Sequence, residues 1–134
     1  DGRYRDARIR SGNNNVDISG NRIESVPEWI SRNGATFRYG GWRLSVLYSY
    51  VSESYADALN TEQPNATGTV GIVPAYGILD VNTTLHVNDN VELRANLNNL
   101  LDEQYFTKRP QFYPGPGIWP SDGRNFSFTV TLRI

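Results

Sequence analysis

Residues 42–50, read as Trp42-Arg43-Leu44-Ser45-Val46-Leu47-Tyr48-Ser49-Tyr50, decide how this chain folds. Trp42, Leu44, Val46, Tyr48 and Tyr50 fall on one side at a period of two, with Arg43, Ser45 and Ser49 opposite and Leu47 as the exception. That alternation specifies a strand with one apolar face. The same pattern returns from Leu79 to Val87, from Val91 to Leu97 and from Phe126 to Ile134. Weaker alternation around Tyr4–Ile9 and Trp29–Tyr39 brings the expectation to about six strands. No window of helical length carries apolar residues at a spacing of three and four, so the fold class is all-β.

The links between these strands take turns in length. Gly40-Gly41 and Asn88-Asp89-Asn90 are minimal, and a Gly-Gly pair between alternating strands suits a tight primed hairpin turn. The others, roughly residues 10–26, 54–76 and 102–123, are long and rich in Gly, Pro, Asn, Ser and Tyr. In an antiparallel up-and-down meander the chain reverses at every link, so the short turns gather at one end of the sheet and the long loops at the other. Transmembrane barrels sort their links in this way, with short periplasmic turns and long extracellular loops. The charges agree: Arg43, Asp80, Glu92, Arg94 and Arg133 all fall on the non-apolar face of their strands, and Trp42, Tyr48, Tyr50, Phe126 and Phe128 on the other. A soluble antiparallel sheet with one wet face also alternates and stays as the rival architecture. The barrel reading puts Trp42, Leu44, Val46, Tyr48, Tyr50, Phe126, Phe128, Val130 and Leu132 against lipid. Six strands do not close a membrane barrel, for which about eight is the small end. The 134 residues, which begin Asp1-Gly2-Arg3 and contain no Met, are therefore expected to be a piece of something larger.

Composition narrows the function. A formal charge of -1 gives no cationic surplus for nucleic acid, and no apolar run reaches the ~18 residues of a membrane helix. Without Cys there is no thiolate chemistry or Cys-based metal site, and the single His86 cannot build a His-rich centre. No Ser/His/acid set and no usefully spaced carboxylate pair exists, so neither a catalytic nor a metal site is assigned and an enzyme is not expected. The order of several strings is more specific. Val26-Pro27-Glu28-Trp29, then Tyr50-Val51-Ser52 with Tyr55-Ala56-Asp57 and Asn60-Thr61, then Val73-Pro74-Ala75-Tyr76, occur at strand borders. Asn98-Asn99-Leu100-Leu101-Asp102-Glu103-Gln104-Tyr105 follows, and then Tyr113-Pro114-Gly115-Pro116-Gly117 with Pro120-Ser121-Asp122-Gly123-Arg124.

In that order the strings resemble the carboxy-terminal portion of a TonB-dependent outer-membrane receptor, most closely the ferric dicitrate or siderophore receptor type. The resemblance covers essentially all of residues 1–134. It implies a segment of a barrel of about 22 strands, without the plug domain that fills such a barrel. It also implies outer-membrane uptake of a ferric chelate, with the long loops extracellular and energy supplied by TonB through parts of the receptor absent here. The chelate would be transported substrate, so no cofactor is implied, and the partners are TonB, outer-membrane lipid and the ferric chelate, with no nucleic acid. The alternative function is a soluble antiparallel β-sheet binding module that would bind carbohydrate through Trp42 or Trp119. Asn99 and Asp102, where alternation stops, read as caps of the turn into the last loop. Within and beside that loop, Arg109 and Arg124 suit a citrate-like carboxylate, and Tyr105, Tyr113 and Trp119 supply rigid aromatic walls. These five are the candidate ligand-binding residues.

Overall fold

The computed structural model describes residues 2–113 and 115–133. Its strands, in chain order, are β1 (Arg8–Ser11), β2 (Asn14–Asp17), β3 (Ile30–Tyr39), β4 (Trp42–Val51), β5 (Ser54–Tyr55), β6 (Ile72–Val73), β7 (Tyr76–Asn88), β8 (Val91–Asn98), β9 (Phe106–Lys108), β10 (Trp119–Pro120) and β11 (Asn125–Leu132). No helix occurs among the described residues. The chain divides into two compact units. One comprises Ile30–Val51, Tyr76–Gln104 and Asp122–Ile134, and the other comprises Asp1–Trp29, Ser52–Ala75 and Tyr105–Ser121.

The first unit is a five-stranded antiparallel sheet in the order β11-β8-β7-β4-β3. Its register turns the separate alternations into one surface, because cross-strand partners project on the same side. Ala35, Val46, Val81, Leu97 and Phe126 form a row across all five strands. Phe37, Leu44, Thr83, Ala95 and Phe128 form the next, and Tyr39, Trp42, Leu85, Leu93 and Val130 the one beyond. Thr83 interrupts this apolar face without leaving a polar group unpaired. Its Oγ1 accepts the Trp42 Nε1–H at 2.7 Å and lies 3.2 Å from the Arg43 carbonyl. Phe37 meets the Trp42 ring edge-on, with centroids 5.9 Å apart. Tyr48 lies across Gly77, where a Cβ would collide with the phenol ring, so a side chain at position 77 would push Tyr48 off the sheet.

The opposite face is polar. Thr36 and Ser45 are 3.0 Å apart through their hydroxyls, Asn82 donates to Asn96, Asn96 donates to Ser127 at 2.9 Å, and Asn98 donates to Asn125 at 2.8 Å. A neighbouring row carries Arg38, Arg43, Thr84, Arg94 and Thr129. Glu92, only 6% exposed, accepts the Arg94 Nε–H at 2.6 Å and has His86 Nδ1 at 3.1 Å, so the carboxylate is not buried alone.

Links sort as the alternation requires. Tyr39 pairs with Trp42 around Gly40-Gly41, and Gly40 takes a left-handed φ of 53° while Gly41 does not, the pattern of a type II′ turn. At the same end, β7 passes to β8 through Asp89-Asn90 after a bulge between His86 and Asn88. The long connections leave from the other end. One expectation changes: the strand around Tyr4–Ile9 does not join the sheet. Asp6 takes a left-handed φ of 46° and breaks the run, leaving an isolated Arg3–Arg22 bridge and a small hairpin of β1 with β2. The long connections also carry local pairings, β5 with β6 and β9 with β10.

Candidate solute-facing site

The second unit holds four of the five candidate residues, and the structure gives each a definite setting. Trp119 opens β10 and pairs with Lys108 of β9, and its side chain is half exposed. It lines a hollow of about 410 Å³ with Pro110, Gly115, Pro116, Ile118 and Pro120. Tyr113 is 90% exposed and its neighbour Phe112 is 87% exposed. Tyr105 is half-buried, and its carbonyl accepts the Ser121 N–H at 3.0 Å, closing the base of this connection. The Arg109 guanidinium is engaged by its own chain. It donates from Nε to the Ile72 carbonyl and from Nη1 to the Gly68 carbonyl, both at 3.1 Å, and stacks 4.8 Å from the Phe106 ring centre. Carbonyl partners hold the cation without neutralising it.

Arg124 belongs to the sheet unit. Its backbone N–H donates to Asp102 Oδ1 at 3.0 Å, and its guanidinium lies 4.0 Å from Asp102 Oδ2, an exposed and weak pair. Asn99 and Asp102 do cap the turn: both have left-handed φ, 50° and 57°, and the Asp102 N–H bonds to the Asn99 carbonyl at 2.9 Å. His86 stands beside Glu92 on the polar sheet face, as its parity in β7 places it.

Arg22 is the residue whose importance the sequence does not announce. It bonds Glu28 through Nε at 2.7 Å, lies 3.5 Å from Glu53, and sits 5.6 Å over the Tyr55 ring. Its backbone exchanges two hydrogen bonds with the Asn60 amide, at 2.7 and 2.8 Å, while Asn21 Nδ2 donates to the Ala58 carbonyl at 2.9 Å. The first and middle connections are thereby joined by residues 37 and 38 apart. The Arg22 hydrogen bond chiefly, with the Arg22 and Arg3 charges, holds the Glu28 carboxyl below its ordinary value of 4.5. A depressed acid stabilises the folded pairing above its unfolded pKa and loses that contribution as pH falls through the folded one. Glu28 is therefore expected to titrate below pH 4.5, and Arg22→Gln to move the midpoint upward. Infrared titration of a labelled Glu28 carboxylate checks this, and a midpoint indifferent to Arg22→Gln would show that the pair does not form in solution.

Comparison with known proteins adds a family. Residues 2–100 match the model for the TonB dependent receptor-like β-barrel. A probable TonB-dependent siderophore receptor, PiuA of Acinetobacter baumannii, is 31% identical over 116 residues, covering 86% of this chain and 14% of the relative. The crystal structure of the siderophore receptor PiuA from that organism superposes with a TM-score of 0.71 at 24% identity, covering 93% of this chain and 17% of that one. Unliganded ferric citrate transporter FecA superposes at 0.74 with 20% identity, covering 86% and 18%. The chain thus spans about a seventh of the length of that curated relative.

Proposed function

This chain belongs to the TonB-dependent receptor β-barrel family, and on that premise we propose that it is wall and outer rim of an outer-membrane receptor that takes up a ferric chelate, energised through TonB by parts of the receptor outside these residues. The observation that carries the reading is the sheet with two chemistries. Its strand residues present an apolar face without charge and a polar face bearing Arg32, Arg38, Arg43, Asp80, Glu92 and Arg94. The apolar face suits lipid and the polar face a barrel interior. A soluble sheet module accounts for the alternation, but not for the family match.

On this reading the long connections are extracellular and meet the solute first. Arg109 and Arg124 contribute positive charge there, and Tyr105, Tyr113 and Trp119 contribute aromatic surface, which favours an anionic chelate such as a ferric hydroxycarboxylate. Arg109 acts from a fixed position, whereas Arg124 gives up only a weak exposed pair to turn toward a carboxylate. In the complete receptor, Arg109→Gln with Arg124→Gln should weaken ferric dicitrate binding by about 1.5–3 kcal/mol for each charge-assisted hydrogen bond removed. Arg124→Gln alone should show the share that leaves the Arg109 hydrogen bonds untouched, and barrel assembly should not change. Calorimetric titration measures it, and unchanged affinity in the double variant would place recognition elsewhere in the receptor.

A further inference from the structure

We propose that Arg109 is a positioning residue that clasps the middle long connection to the last one, so that residues 54–73 and 105–121 present a single surface to an incoming solute. The middle connection is folded back on itself before Arg109 reaches it. The Ile72 N–H bonds to the Glu62 carbonyl at 3.3 Å, and the Gly68 N–H bonds to the Asn65 carbonyl at 3.0 Å. Gly71, at φ 109°, lies so close to Pro64 that a Cβ would be 3.0 Å from its Cα. The carbonyls of Gly68 and Ile72 are both taken by one side chain from the other connection.

Two donors on one rigid plane are needed for that geometry. A guanidinium supplies Nε–H and Nη1–H in fixed relation, whereas an ammonium offers one strongly hydrated point of charge. The Phe106 ring, from the same strand as Lys108, closes over the guanidinium and limits its rotation. Gly68 is at φ 71°, and a Cβ there would approach Gly117 Cα to 3.4 Å and Arg109 Nη1 to 3.7 Å. The two connections therefore meet backbone to backbone beside the clasp. Gly117 is in turn tied to Pro110, next to Arg109, by a 3.3 Å hydrogen bond. Since Asn60 ties the middle connection to Arg22, the clasp completes a chain of side-chain-to-backbone bonds through all three.

The consequence for uptake rests on the proposed function, but the clasp does not, and the test is arranged accordingly. Spin labels at Thr67→Cys and Gln111→Cys of the complete receptor report the distance between the two connections without any ligand. The parent should show one narrow distance distribution. Both Arg109→Gln and Arg109→Lys should broaden it, and amide exchange over residues 60–72 should rise roughly tenfold while that of β7 and β8 stays fixed. Arg109→Lys is the deciding arm, because it keeps the charge and loses the fork. A narrow distribution persisting in either variant overturns the clasp. If the distribution broadens yet ferric dicitrate affinity in Arg109→Lys equals the parent's, the clasp stands and its link to ligand recognition fails.

Discussion

Arginine in place of Val81 should lower the stability of the folded receptor in lipid vesicles by about 2–4 kcal/mol, the cost of a cation at the bilayer midplane of a barrel. Val81 lies in the row Ala35, Val46, Val81, Leu97 and Phe126, which crosses the sheet at the middle of β4. Ser45→Arg, one residue from that row and on the polar face, gives up only a hydroxyl pairing with Thr36 and should cost well under about 1 kcal/mol. Val130, which alternation alone makes an equal probe, pairs with Leu93 in the row of Tyr39 and Trp42 beside the short turn. An arginine there reaches the interface, where the cost falls to about 0–1 kcal/mol. Urea unfolding in vesicles separates the three, and equal losses at Val81 and Ser45 would overturn the assignment of faces.

Removing the Asn99 side chain should be comparably costly, although it touches neither lipid nor solute. Asn99 is 4% exposed, and its amide accepts the Glu103 N–H and donates to the Glu103 carbonyl, both at 2.9 Å, with the Asp122 carbonyl at 3.5 Å. Its backbone N–H donates to Asp80 Oδ1 at 2.9 Å. One residue thus gathers the ends of β7 and β8 and the approach to β11. Alanine would leave part-buried backbone groups unpaired and would hold a left-handed φ without an amide to favour it, together about 2–4 kcal/mol. Glycine removes the backbone share and should recover about 1 kcal/mol relative to alanine. Parent-like unfolding of Asn99→Ala would show that the backbone alone makes this corner.

How legible these features are in the sequence depends on the range of the interaction behind them. Strand faces follow from a period of two, and Gly40-Gly41 carries its turn in its own composition, so β4, β7, β8 and β11 could be read directly and β3 only as a weaker run. Asn99 and Asp102 mark themselves by stopping an alternation with residues that tolerate left-handed backbone. Around Tyr4–Ile9 the pattern misleads, because one backbone angle at Asp6 ends a run whose side chains still alternate. Arg109 shows the other failure. Its residue type fits an anion, but its hydrogen bonds go to carbonyls 37 and 41 residues earlier, and a carbonyl has no signature in sequence. Arg22 is hidden by range instead, since the Asn60 amide that bonds its backbone lies 38 residues later.

The unequal links also set an order of events. Each strand of the sheet pairs with its neighbour in the meander, so no pairing skips over another strand of the sheet. Closing β3 on β4 across Gly40-Gly41, or β7 on β8 across Asp89-Asn90, restricts two intervening residues. Bringing β4 to β7 must close a connection that starts after Val51 and ends before Tyr76, and the extra loop entropy is about 2 kcal/mol. The two hairpins are therefore the kinetic units of this wall. The long connections are the points at which its growth pauses.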